Sequence, residues 1–129
     1  MTIICLACYE GDYVITDKYI LPKGVEFEKK ESFGLIPTEV NALVDYSDIL
    51  IIDIRPKLEY YTIPGAKHIP FQRLEDAKLP KNKVIILADE DGSLAKRFCE
   101  ILRAKGYNAF YLKGGLLRYY DEGYPMTKV

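Results

Sequence analysis

The chain has 129 residues, a length that suits one domain with one core. Apolar residues make up 49% and charged residues 29%, the balance of a folded soluble protein. With 18 basic and 19 acidic side chains the net charge is −1, which gives no support for nucleic acid or an anionic membrane as a partner. No apolar run approaches the ~20 residues that span a bilayer. The start, MTIICLACYE, lacks a basic n-region. No signal peptide is read, and a cytoplasmic location is expected.

Three cysteines, Cys5, Cys8 and Cys99, argue against a disulfide framework in such a chain. Cys5 and Cys8 form a C-x-x-C pair, a pattern used in redox couples and in half of a zinc site. A four-ligand zinc site would need two further ligands, and only Cys99 and His68 are on offer, far away in sequence. On an extended strand, residues three apart point to opposite faces, so the reading favours small buried cysteines.

The first thirty residues differ from the rest. The runs TIICLACY, DYVIT, KYIL and VEFE are β-branched or aromatic, and Glu10-Gly11-Asp12, Thr16-Asp17-Lys18 and Pro22-Lys23-Gly24 separate them with turn chemistry. They predict a small antiparallel meander or pair of hairpins over 1–30, ahead of an α/β domain over 31–129. From residue 35 strands and helices alternate. Pro37-Thr38 opens a helix over Glu39–Tyr46, with Val40, Leu43 and Val44 on one face. Ile49–Ile54, almost wholly apolar, reads as a strand buried on both faces.

Pro56–Tyr61 reads as one helical turn, and Pro64-Gly65 and Pro70 punctuate a loop around Lys67-His68-Ile69. Val84–Leu87 is the next strand. The following helix sets Leu94, Phe98, Ile101 and Leu102 on its apolar face and ends at Gly106. Asn108–Leu112 is a strand. Gly114-Gly115 turns the chain into a last helix, Leu116–Tyr120, closed by Gly123-Tyr124-Pro125. The alternation predicts an α/β fold with a central, mainly parallel sheet flanked by helices.

Between strand and helix lies Asp89-Glu90-Asp91-Gly92-Ser93-Leu94. A strand that ends at the first turn of a helix favours anions there, through free N–H groups and the helix dipole. Yet this loop carries three carboxylates and neither cysteine nor histidine.

Asp53-Ile54-Arg55 with Glu59-Tyr60, the segment Ile63–Pro70, strand Lys83–Leu87, and Leu102–Tyr107, Gly114-Gly115 and Gly123–Pro125 occur in an order that resembles the rhodanese-like domain over roughly 35–129. The resemblance implies a rhodanese-like α/β fold. It also implies a chemistry in which sulfane sulfur moves through a persulfide on a cysteine that begins the loop. Counting back three from Gly92 puts that position at Asp89, and a carboxylate cannot carry a second sulfur. Leu94 and Ala95 stand where the family often has a basic and then a small hydroxyl residue. Thr62 runs directly into Ile63, without the family's glycine-histidine. Glu90 and Asp91 would repel thiosulfate by about a kcal/mol per carboxylate. These departures favour an inactive homologue with a binding, regulatory or interaction role, with Asp89–Leu94 as the equivalent of the active-site loop and no catalytic residue.

The alternatives are a sulfurtransferase that uses another thiol, such as Cys5 or Cys8, and a receiver-like phosphate acceptor at Asp53 with Lys113 as its lysine. A hard cation such as Mg²⁺ on Asp89, Glu90 and Asp91 is disfavoured against simple capping of the helix. In the preferred reading Asp53 and Arg55 are a structural ion pair or loop anchor, and Cys99 and Tyr119 are packing. His68 is a packed or exposed side chain. No cofactor and no metal are expected, a protein partner is unspecified, and a homodimer is left open.

Overall fold

The computed structural model describes residues 33–129 and, within 1–32, the backbone of three strands, β1 (Tyr9–Glu10), β2 (Tyr13–Ile15) and β3 (Ile20–Pro22). These pair antiparallel in the order β1-β2-β3, the expected meander. Cys5, Cys8 and the VEFE run lie outside the described residues.

The remaining elements are β4 (Gly34–Leu35), α1 (Pro37–Leu43), β5 (Ile49–Asp53), β6 (Tyr61–Thr62), β7 (Lys67–His68), α2 (Phe71–Leu74), β8 (Val84–Ala88), α3 (Ser93–Ala104), β9 (Asn108–Leu112), α4 (Gly115–Asp121) and β10 (Thr127–Lys128). Five strands form a wholly parallel sheet in the order β4-β9-β8-β5-β7. The last strand, β10, instead pairs antiparallel with β6.

The apolar runs are explained by burial on both faces. Along β8, Val84, Ile86 and Ala88 join one core cluster, with Val40, Leu43, Leu116 and Tyr119. Ile85 and Leu87 point the other way, into a cluster with Leu74, Ala95, Cys99 and Leu102. Helices α1 and α4 therefore cover one face, and α2 and α3 the other. Tyr119 is fully buried, and its hydroxyl donates to Asn41 Oδ1 at 3.3 Å. Burial pushes its pKa up to about 12.

Several expectations are corrected. Helix α1 starts at Pro37 and ends at Leu43, because proline fits the first helical position and the Glu39 carboxylate caps the Ile36 N–H at 3.0 Å. No helical turn forms over 56–61. Arg55 instead donates to the Glu59 and Tyr61 carbonyls and holds the segment open. Lys67-His68 is an edge strand rather than a loop, paired with Ile52 and Asp53. The one-turn helix α2 was not anticipated by any periodicity in its four residues. The buried line of α3 runs through Ala95, Cys99 and Leu102, with Leu94, Phe98 and Ile101 only partly buried beside it.

Gly115 has φ 69°, and a Cβ there would stand 2.3 Å from the Glu90 carbonyl oxygen. Gly65 also has a positive φ, 81°, but open space around it. Gly115→Ala should therefore cost about 2–4 kcal/mol in urea unfolding, and Gly65→Ala only about 1–2. Equal costs at the two sites would refute the close-approach explanation.

Candidate functional site

In a parallel sheet the C-terminal ends of the strands lie on one edge, and the loops that follow them meet there. Asp53 at the end of β5 is in register with Ala88 at the end of β8. The loop 89–92 leads from β8 into α3, and Gly114 leads from β9 into α4. The two connections are bonded together: the Leu116 and Leu117 N–H groups donate to the Asp89 and Glu90 carbonyls at 2.8 and 3.0 Å.

Asp89 is 4% exposed. Its Oδ1 accepts the Gly92 N–H at 2.7 Å and its Oδ2 the Leu94 N–H at 3.0 Å. The carboxylate thus sits inside the loop that it begins, against the first turn of α3. Gly92 closes the curve at φ 93°, packed against Leu112 O and Gly114 N so closely that a side chain would crowd both. Burial raises the Asp89 pKa above the ordinary carboxylate value, and the backbone N–H bonds offset part of that rise. Asp91 lies outside. It accepts the Ser93 N–H and hydroxyl at 3.0 and 2.7 Å, bonds that lower its pKa. The helix start is capped by these two aspartates, and Glu90 is left exposed.

Beside the loop, Arg55 forks onto the buried Asp53 carboxylate at 2.8 Å. Thr62 donates to the same carboxylate at 2.7 Å. The exposed His68 shares a hydrogen bond with the Arg55 carbonyl, 2.7 Å from its Nε2. The Arg55 bonds to the Glu59 and Tyr61 carbonyls, with Val129 N–H on the Tyr60 carbonyl, hold Tyr60 at φ 61°. Between this segment, Glu90 and α4 opens a cleft of about 310 Å³. Tyr60, Tyr61, Leu117 and Tyr120 line it, and the Tyr61 and Tyr120 rings stack at 6.2 Å.

The structure thus gathers residues 89–92 into one loop, with Ser93 and Leu94 opening α3, but the carboxylates of Asp89 and Asp91 turn to different donors rather than to a common point. Among the described residues no group of three or more His, Cys, Asp or Glu side chains is arranged to hold a metal ion. Asp53 is 1% exposed and spent on Arg55 and Thr62, so the receiver-like reading loses its acceptor. Cys99 is buried, its thiol bonded to the Ala109 carbonyl, and burial pushes its pKa up to about 12. It is inert packing. The sequence reading missed Tyr60, Tyr61, Leu117 and Tyr120 as a cleft. The one available signal was the Glu59-Tyr60-Tyr61 cluster beside the Asp53-x-Arg55 anchor.

The sequence profile of the rhodanese-like domain matches residues 36–122. This chain belongs to the rhodanese-like domain family. The fold agrees: a rhodanese-related protein from Thermoplasma volcanium superposes with a TM-score of 0.67 at 20% identity, over 73% of this chain and 96% of that one. A rhodanese homologue from Thermus thermophilus gives a TM-score of 0.57 at 30% identity, over 66% and 98%. Among curated proteins, a tRNA sulfurtransferase of Desulfurococcus amylolyticus is 36% identical over 74 residues, 56% of this chain and 15% of that protein. A tRNA uridine(34) hydroxylase of Acinetobacter baylyi is 29% identical over 116 residues, 80% and 37%. The rhodanese-like chain therefore spans well under half the length of either relative.

Within this rhodanese-like domain the Asp89 bonds are testable as stability. Asp89→Ala leaves the Gly92 and Leu94 N–H groups without their acceptor and should cost about 1–3 kcal/mol at neutral pH. Asp89→Asn keeps one acceptor and should cost less. Burial raises the native pKa of Asp89, so the stability linked to its proton is full at low pH and is lost as pH rises through the native value, while the hydrogen bonds to Gly92 and Leu94 persist. Urea titrations from about pH 4 to 7 should show wild type losing stability relative to Asp89→Asn as pH rises. The opposite slope would contradict the burial argument.

Proposed function

We propose that this rhodanese-like domain does not transfer sulfur and serves instead in binding, regulation or interaction. The observation that carries the reading is Asp89. A rhodanese-type reaction needs a thiolate at the head of the loop, and the side chain there is a carboxylate that spends its oxygens on the loop's own N–H groups. Such a group has no sulfur to carry, and each of its oxygens is bonded to the loop's own N–H groups. The N–H groups that would cradle an incoming anion already hold one, supplied by the chain itself. The neighbouring exposed carboxylates of Glu90 and Asp91 add repulsion toward thiosulfate.

A second reading draws on one relative, a tRNA sulfurtransferase. It requires sulfur to travel on a thiol of this chain. Cys99 is excluded by its burial, which leaves Cys5 or Cys8.

A thiosulfate:cyanide assay separates the two. Wild type should give background turnover, and Asp89→Cys should yield a protein that gains the mass of one sulfur after thiosulfate treatment. Turnover well above background in the wild type, lost on Cys5→Ser or Cys8→Ser, would overturn the inactive reading.

A further inference from the structure

We propose that the cleft between the Tyr60 segment and α4 is a docking site for a segment of a partner protein that presents an apolar side chain flanked by lysine or arginine. The inference rests on the interaction role proposed above and names its partner's chemistry. Tyr60 is 77% exposed, Leu117 54%, Tyr120 61% and Tyr61 43%, so four large apolar side chains face solvent around one hollow of about 310 Å³. That volume takes an anchoring side chain or two, at the small end of ligand sites.

Tyr60 adds a second indication. An aromatic residue at φ 61° is strained; Arg55 holds the carbonyls on either side of it and the Val129 N–H holds its own carbonyl, so that it stays there. The strain presents the ring outward and buries none of it in the core.

The charge on the rim selects the occupant. Glu59 and Glu90 line the cleft, and neither carboxylate has an ion pair or hydrogen bond among the described residues. Arg55, the cation that lines it, is committed to Asp53 and to two carbonyls. Lys57 borders the adjoining hollow of about 270 Å³ but pairs with neither glutamate among the described residues. The cleft is therefore apolar with two negative charges that no described residue pairs, which repels a phosphate backbone and attracts a basic one.

The test uses the full chain, nitrogen-labelled, and two blocked tripeptides, Arg-Leu-Arg and Glu-Leu-Glu, titrated at low salt and followed by amide NMR shifts. The basic peptide should move the signals of Tyr60, Leu117 and Tyr120 and bind about tenfold more tightly than the acidic one. The double variant Glu59→Gln with Glu90→Gln should erase that preference. Leu117→Ala should weaken the basic peptide several-fold while the preference survives. Equal binding, preference for the acidic peptide, shifts elsewhere, or the same signals moved by a uridine-rich oligoribonucleotide would each overturn the proposal. Sulfur transfer by the wild type would defeat the interaction role and leave the peptide preference standing. Absence of that preference with background turnover would defeat this inference alone.

Discussion

The buried carboxylate of Asp89 sets most of what surrounds it. A carboxylate with almost no access to water must find donors nearby. The nearest are the N–H groups at the start of α3, left without partners by helix geometry. To reach them the chain doubles back over its own side chain, which places Gly92 in the left-handed region. That curve fits only because the turn after β9 is glycine as well, and the start of α4 then donates to the loop's carbonyls. Two connections from two strands are thereby locked as one unit at the sheet's C-terminal edge.

This arrangement separates a scaffold from a chemistry. The family's fold puts a curved loop and a helix start where an anion is well received. In this chain the anion is part of the loop, present at an effective concentration that a free solute cannot match. Next to the loop opens the cleft where aromatic rings and the two glutamates meet. Inside the loop the N–H groups offset part of what burial costs the Asp89 carboxylate, and Glu90 links loop and rim: its backbone carbonyl binds α4 and the residue lines the cleft.

The Asp53–Arg55 pair does corresponding work on the other wall. One guanidinium neutralises a buried carboxylate and fixes two carbonyls of the segment that carries Tyr60. Its value is geometric. A buried ion pair contributes little net stability by itself, yet its directional bonds hold an otherwise unfavourable backbone in place. Thr62, which donates to the same carboxylate, joins that anchor to β6 and, through it, to β10.

The strands and long helix were legible because their signals are local. The unbroken apolar run at Ile49–Ile52 and the apolar Val84–Ala88 announce strands covered on both faces. Gly106 marks a helix end by a conformation that few other residues tolerate. The crossing from β8 into α3 could also be located, since an apolar run meets an amphipathic one there. What the sequence could not provide was direction and proximity. Whether three adjacent carboxylates gather on a cation or turn to N–H groups depends on where β8 and α3 leave them. Pro56–Tyr61 has no strong period of its own, so Arg55, just past the end of β5 and forked onto Asp53, determines its path through the Glu59 and Tyr61 carbonyls. The edge strand Lys67-His68 exists only because β5 offers a free side to pair with. Tyr60 and Tyr61 lie far in the chain from Leu117 and Tyr120, and only the packing of α4 beside the Tyr60 segment makes them one surface. Composition and pattern thus determined the layers and the residue at the head of the loop. The tertiary structure decided where that residue's charge goes and what stands next to it, because both are set by contacts between segments that no local pattern encodes.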